Sequence, residues 1–323
     1  MKHWLCNKAG AFTFIDSSTP KNNIVNQPLI PMRSIVVFIT AAVMLFILFH
    51  FINLSHKAPK ESYPEDSWLS MTANKTALVI VAHDDDAIGA AGTVLKLTAS
   101  GWTVKELCFY NTVNDEEKNE RIRQRQLDTE KVKEIEGLSE FRFFNLPFRY
   151  PDKRNVPEYM PIAREELPLH YNTDTLLYCI RKFIDENNPS VIFTLDNAIG
   201  GYGHSDHLLV SQLVLDECNR RKNDSGFAVK YIYQAVFTPS MAENILTDLP
   251  PYNAALKIYK TGIPLPDVQV TIAQFGSKKK EVMKAYSTEQ NSIRKIWPSY
   301  QYYPAAIYFR LFDREFFKII KLK

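Results

Sequence analysis

Two short clusters hold most of the residues that can do chemistry. One is His83-Asp84-Asp85-Asp86; the other is His204-Ser205-Asp206-His207, preceded by Gly200-Gly201-Tyr202-Gly203. Three adjacent carboxylates repel one another, and moving them out of water is costly unless a cation or good donors receive them. Two chemistries fit: a divalent metal site, or a set of caps in which the aspartates take backbone N–H groups and complement a helix dipole. One aspartate suffices for a cap, and three beside a histidine exceed that need. In the second cluster His204 and His207 stand three apart, so from a first helical turn both face one point. Asp206 is placed to orient an imidazole. The glycines at 200, 201 and 203 admit positive φ and close approach of backbone to a ligand. H-x-x-H alone is weak, because a histidine is usually just a satisfied side chain. Paired with H-x-x-D in another loop it becomes strong, and together they use three of the chain's seven histidines.

Both clusters follow segments that read as buried strands. Residues 77–82 are an uninterrupted apolar run, as expected of a strand covered on both faces, and residues 190–195, apolar but for Ser190 and Thr194, read as another buried strand. Further strands are expected at 103–110, 140–146 and 230–237, and helices at 88–99, 116–136, 173–186 and 206–221. Strands alternating with helices of this length predict an α/β, Rossmann-like fold: a mainly parallel sheet flanked by helices. Ligands in such sheets bind beyond the carboxyl ends of the strands, where both clusters fall. The aromatic and basic tail from Tyr300 is expected to pack on the core rather than on a membrane.

Upstream, residues 35–54 are apolar apart from Thr40, His50 and Asn53, and 20 helical residues at 1.5 Å each span about the 30 Å core of a bilayer. Met32-Arg33 before this run resembles the start of a signal peptide, but no A-x-A site follows, so one N-terminal transmembrane helix is expected. The resulting division is a 1–34 segment of unclear role, a 35–54 anchor, a 55–75 linker and a 76–323 catalytic domain, with Met32 as a second possible start. Flanking lysines and arginines lean toward a cytoplasmic N-terminus and an external catalytic domain. A formal charge of +3 gives no case for nucleic acid. The four cysteines form no C-x-x-C pair and read as free thiols, three of them in apolar segments.

With both motifs in view, the chain resembles the metal-dependent de-N-acetylases of the PIG-L/LmbE family over roughly 77–290. That family carries A-H-P-D-D-E after its first strand and H-P-D-H or H-x-x-H after a later one. Here they read Ala82-His83-Asp84-Asp85-Asp86-Ala87 and His204-Ser205-Asp206-His207, and Gly200 to Gly203 resembles the mycothiol-pathway branch. Arg125 ahead of Gly137 matches an arginine-then-glycine pattern, and Ser287-Thr288-Glu289-Gln290 echoes a family H-x-S-Q element. The chain departs from the family at Asp84, in place of proline, and at Ala87, in place of glutamate.

The resemblance implies that His83, Asp86 and His207 hold a metal, Zn²⁺ or another divalent ion such as Fe²⁺. It implies that Asp85 is the general base, and that His204 stabilises the oxyanion or protonates the amine. Asp206 becomes the partner that orients a ligand, and Tyr202 polarises the substrate carbonyl. The implied substrate is an N-acetylglucosamine conjugate, lipid-linked given the anchor. Zinc lowers a water's pKa from about 15.7 to about 7, roughly 12 kcal/mol that an aspartate with a pKa of about 4 does not supply from bulk water. The rival reading is a membrane-anchored metal- or carbohydrate-binding protein without catalysis, for which Ala87 speaks. A two-carboxylate glycosidase is disfavoured, since adjacent aspartates do not flank a sugar at ~5–10 Å. So is a dinucleotide enzyme, because no G-x-G-x-x-G follows the first strand.

Overall fold

The computed structural model describes residues 32–111, 116–151, 154 and 156–322. Most of the 1–34 segment, Cys6 and the lysines counted before Met32 lie outside the described residues. The chain divides into a unit ending at Phe49 and a second from His50 to Lys323. Helix α1 (Met32–Lys57) is apolar on all sides; Val37, Phe38, Leu45 and Phe46 are each more than 60% exposed. It is long and apolar enough to cross a membrane.

The second unit is built on one seven-stranded sheet in the order β3-β2-β1-β4-β5-β7-β6. The strands are β1 (Thr76–Ile80), β2 (Thr103–Asn111), β3 (Glu140–Leu146), β4 (Val191–Leu195), β5 (Tyr231–Ala235), β6 (Val268–Thr271) and β7 (Arg314–Lys321). The first five pair in parallel, as expected from the alternating pattern. Only β7 runs against the rest, pairing antiparallel with both β5 and β6. The aromatic tail is thus a short helix (Ala305–Leu311) followed by β7, with Phe309, Phe316 and Phe317 buried in the core.

Every residue of β4 is buried, and alternate residues face two apolar layers. Leu78, Ile80, Ile192 and Ile232 meet helices α4 (Thr173–Asn187) and α5 (Ser205–Arg221) on one side. Val79, Val104 and Phe193 face the other, which carries α2 (Ala91–Ala99), α3 (Glu116–Glu136) and α6 (Gly276–Ala285). The helix expected over 88–99 is split: Asp84–Gly89 form a 3₁₀ turn, and α2 starts only after Ala90, at φ −120°. The aspartates turn back on their own backbone there, which tightens the turn. Gly92 lets α2 press on Ile272, where a Cβ would stand 2.8 Å from that side chain. Cys108, Cys179 and Cys218 are buried free thiols.

Strand order reverses between β1 and β4, which lie side by side. Connections from these neighbours leave in opposite directions and open a crevice at their carboxyl ends. Both motif loops enter that crevice.

Candidate active site

His83 ends the extended run after β1 and caps the 3₁₀ turn. The Asp86 Oδ2 accepts the His83 backbone N–H at 2.8 Å, so the capping role anticipated for an aspartate is real. Its other oxygen, Oδ1, lies 3.1 Å from His207 Nε2. One side chain can therefore cap the turn and still offer an oxygen to a metal.

The second loop is shaped by Asp196, at the end of β4. Its Oδ1 accepts from Ala198 and Ile199 N–H, and its Oδ2 from Gly201 N–H at 2.6 Å. This folds the glycines back under α5 and delivers His204 as the helix cap and His207 one turn in. Gly203, at φ +98°, passes so close to Pro251 that a Cβ would stand 2.4 Å from its carbonyl oxygen. Only glycine fits there.

Donor atoms of three residues converge, with a different Asp86 oxygen facing each histidine. His83 Nδ1 lies 3.0 Å from His207 Nε2 and 3.4 Å from Asp86 Oδ2, and His207 Nε2 lies 3.1 Å from Asp86 Oδ1. Ligands at 2.0–2.2 Å from a tetrahedral zinc stand about 3.3 Å from one another, so this set fits such an ion. Ring nitrogens of His83, His204 and His207 also fall within 4.8 Å of each other. The Asp86 oxygens are closer, and His204 Nδ1 is engaged by the Asp206 N–H at 3.2 Å. Two imidazoles and one carboxylate are the better set. His207 Nδ1 sits 3.2 Å from the Gly200 carbonyl, which as an acceptor fixes the ring's proton there and leaves Nε2 to ligate.

Asp206, buried, faces the outer nitrogen of His83 at 3.2 Å. Arg149 grips it with two N–H groups, and Tyr171 donates to its Oδ1 at 2.6 Å. Burial alone would raise the Asp206 pKa, but Arg149 and the nearby histidines hold it well below the usual carboxylate range. Burial likewise works against a charged His83, yet Asp86 and Asp206 push it up to about 10. The same negative field attracts a metal ion. His207 is lowered to about 4 by burial, with His83 adding to it against the pull of Asp86.

Asp85 lines the cavity beside the ligands. Burial, then repulsion from Asp86 and Glu289, pushes it up to about 8. Arg125 contacts its Oδ1 at 3.2 Å. His204 stacks on His207 with ring centroids 4.5 Å apart, and burial with His207 holds its pKa well below normal. It is thus a neutral imidazole that accepts at Nδ1 and carries its proton on Nε2, a donor and not a cation. Tyr202 stands edge-on to His207 at 5.1 Å; burial and the aspartates keep it a neutral phenol. All seven residues singled out in the sequence meet in one crevice.

Arg149, Tyr171, Arg121 and Glu289 were not singled out as site residues. Arg149 had one available signal, a basic residue just past the carboxyl end of β3 on the edge where ligands bind. The cavity here measures about 810 Å³. Its lining combines the histidines and aspartates with apolar side chains, among them Phe237, Met241, Ile245, Ile293 and Trp297.

Residues 78–218 match the PIG-L family, described as GlcNAc-PI de-N-acetylase. No curated protein matches the chain. Among solved structures it is similar to N,N'-diacetylchitobiose deacetylase from Pyrococcus horikoshii, complexed with its inhibitor MPG. That pair shares 18% identity over 79% of this chain and 90% of the other, with a TM-score of 0.46. The zinc-inhibited form of teicoplanin deacetylase Orf2 shares 13% over 76% and 98%, with a TM-score of 0.49. The 4-carboxy-2-hydroxymuconate hydratase GalB from Pseudomonas putida KT2440 shares 15% over 76% and 96%, with a TM-score of 0.45.

Proposed function

We propose, from the premise that this chain belongs to the PIG-L family through residues 78–218, that it hydrolyses the N-acetyl amide of a glucosamine-containing conjugate. A divalent metal, zinc by ligand type, is held by His83, Asp86 and His207. The spacing of those three donors, 3.0 to 3.4 Å, is the observation that carries the reading.

A zinc ion in such a site lowers the pKa of water to about 7 and polarises an acyl carbonyl. The protein's own groups do the rest. Asp85 takes the proton as water oxygen bonds to the acyl carbon. The Nε2–H of His204 and the Tyr202 hydroxyl donate to the oxygen that gains negative charge. As the C–N bond breaks, the proton held by Asp85 passes to the departing amine, leaving acetate and a free amino sugar. Asp206 takes no part in proton transfer; clamped by Arg149 and Tyr171, it keeps the His83 ring turned toward Asp86 and His207.

In this reading the substrate is lipid-linked, which suits the apolar share of the cavity lining. A sugar held by the histidines and aspartates would leave Phe237, Ile293 and Trp297 of the same lining for an apolar tail. In this reading residues 35–54 anchor the chain in a membrane.

The test is an amine-release screen with the full chain in detergent, comparing soluble and lipid-linked N-acetylglucosaminyl substrates with and without chelator. Chelator-sensitive amine release, greater for the lipid-linked form, is expected. No release from any of them, even after zinc is added back, would leave a non-catalytic binding protein as the better description, with Ala87 as its mark.

A further inference from the structure

The glutamate that the family motif carries at position 87 is absent here; Ala87 is buried among apolar side chains. Two other acidic residues lie close to the site. Asp84 replaces the motif proline and is fully buried, and Glu289 lies in a 3₁₀ turn (Ser287–Glu289) more than two hundred residues away. Both converge on one side chain. Arg125 directs Nη2 at Asp84 and at Asp85 Oδ1, and Nη1 at Glu289 Oε1, 2.9 Å away.

We infer that Glu289 is a positioning residue: with Asp84 it fixes the Arg125 guanidinium against the base Asp85. The inference rests on the proposed reaction for its catalytic consequence, but its geometry stands apart from it. A guanidinium is planar and rigid, so pinning both ends sets the direction of the N–H that meets Asp85. With Asp85 Oδ1 committed to Arg125, the second oxygen is left for the proton of the attacking water.

Glu289 is itself held firmly. Arg121 donates to its Oε1 at 2.7 Å. Asp128 accepts both the backbone N–H and the hydroxyl of Ser287, at 2.7 and 2.6 Å, docking the turn on α3. Arg121, Arg125 and Asp128 recur at i, i+4 and i+7, on one helix face. That face carries both the cation and the anchor of its partner. The side chains of Arg125 and Glu289 are only 12% and 6% exposed, so solvent does little to weaken the pair.

The test is Glu289→Gln in the full chain, followed by metal content, KM, kcat and a crystal structure. Bound metal and KM should stay at wild-type values while kcat falls about 10–100-fold, the scale of a misplaced catalytic group. Glu289→Asp, which keeps the charge, should recover part of the loss. The Arg125→Gln/Glu289→Gln double variant should be no slower than Arg125→Gln alone, because Glu289 acts through Arg125. Wild-type kcat in Glu289→Gln, or losses that multiply in the double variant, would overturn the proposal. The crystal structure decides independently of turnover: Arg125 should leave Asp85, and finding it unmoved would overturn the proposal too. If the wild type releases no amine, the reaction is wrong and this structural comparison still judges Glu289. Should Glu289→Gln not fold, Glu289→Asp carries the same structural and kinetic comparison.

Discussion

Asp206→Asn isolates the charge that organises the site. The substitution keeps the volume and one carbonyl oxygen, but it removes the anion shared by Arg149, Tyr171 and His83. Asp206 is 2% exposed and Arg149 14%, so the pair is buried, and the change leaves the arginine with the exposed Glu158 at 3.1 Å. Breaking a buried pair from one side costs about 3–5 kcal/mol. At about 2–4 °C per kcal/mol for a unit of this size, the melting temperature should fall by roughly 6–20 °C. Loss of a ligand's orienting carboxylate should weaken metal binding about 10–100-fold. The Asp206 pKa is depressed in the folded state, so its stabilisation is present above about pH 4 and is lost as pH falls through the folded value. The gap between wild type and variant should therefore close in acid. Thermal unfolding at several pH values and competition with a chelator measure both effects. Wild-type melting and metal affinity at pH 7 in the Asp206→Asn variant would refute the reasoning.

Other outcomes follow from the same geometry. His207→Ala should purify without stoichiometric metal, whereas Asp85→Asn should retain it and lose most turnover; elemental analysis beside an amine-release assay separates the two, and wild-type turnover in Asp85→Asn would remove the base assignment. Gly203→Ala forces a side chain into the Pro251 carbonyl at a φ of +98°. It should cost about 1–3 kcal/mol and displace His204, read as a lower melting temperature and a lower kcat. Glu106, buried on β2 with no partner for either oxygen among the described residues, has its pKa raised well above normal by burial, Glu136 and Asp86. The folded state keeps a proton that the unfolded chain releases, so this group's contribution is intact below about pH 4 and is lost as pH rises. Glu106→Gln should flatten the fall in stability toward alkaline pH, and denaturant titrations with equal pH slopes would contradict that.

Much of the site was legible because its residues are local to strand ends. His83 to Asp86 and His204 to His207 each follow a strand whose apolar run announces it, and the parallel order of β1 and β4 does the rest. What the sequence hid is tertiary. Arg149 and Tyr171 reach Asp206 from beyond β3 and from the start of the α4 segment, and no periodicity links them. Glu289 sits in a four-residue echo of a family motif, and its meaning appears only when α3 brings Arg125 to it. β6 has four residues, too few for an alternation to register, and without it the aromatic tail reads as a packed terminus and not as the strand that β7 is. The helix expected from Ile88 begins later because Asp86 caps the 3₁₀ turn before it.

The central claim is the ligand set, and crystals of the zinc-loaded full chain measured at the zinc absorption edge test it most directly. A single anomalous peak is expected about 2.0–2.2 Å from His83 Nδ1, His207 Nε2 and the Asp86 carboxylate, with Asp85 outside bonding distance. A peak bonded to His204 in place of Asp86, or no peak between β1 and β4, would contradict the account.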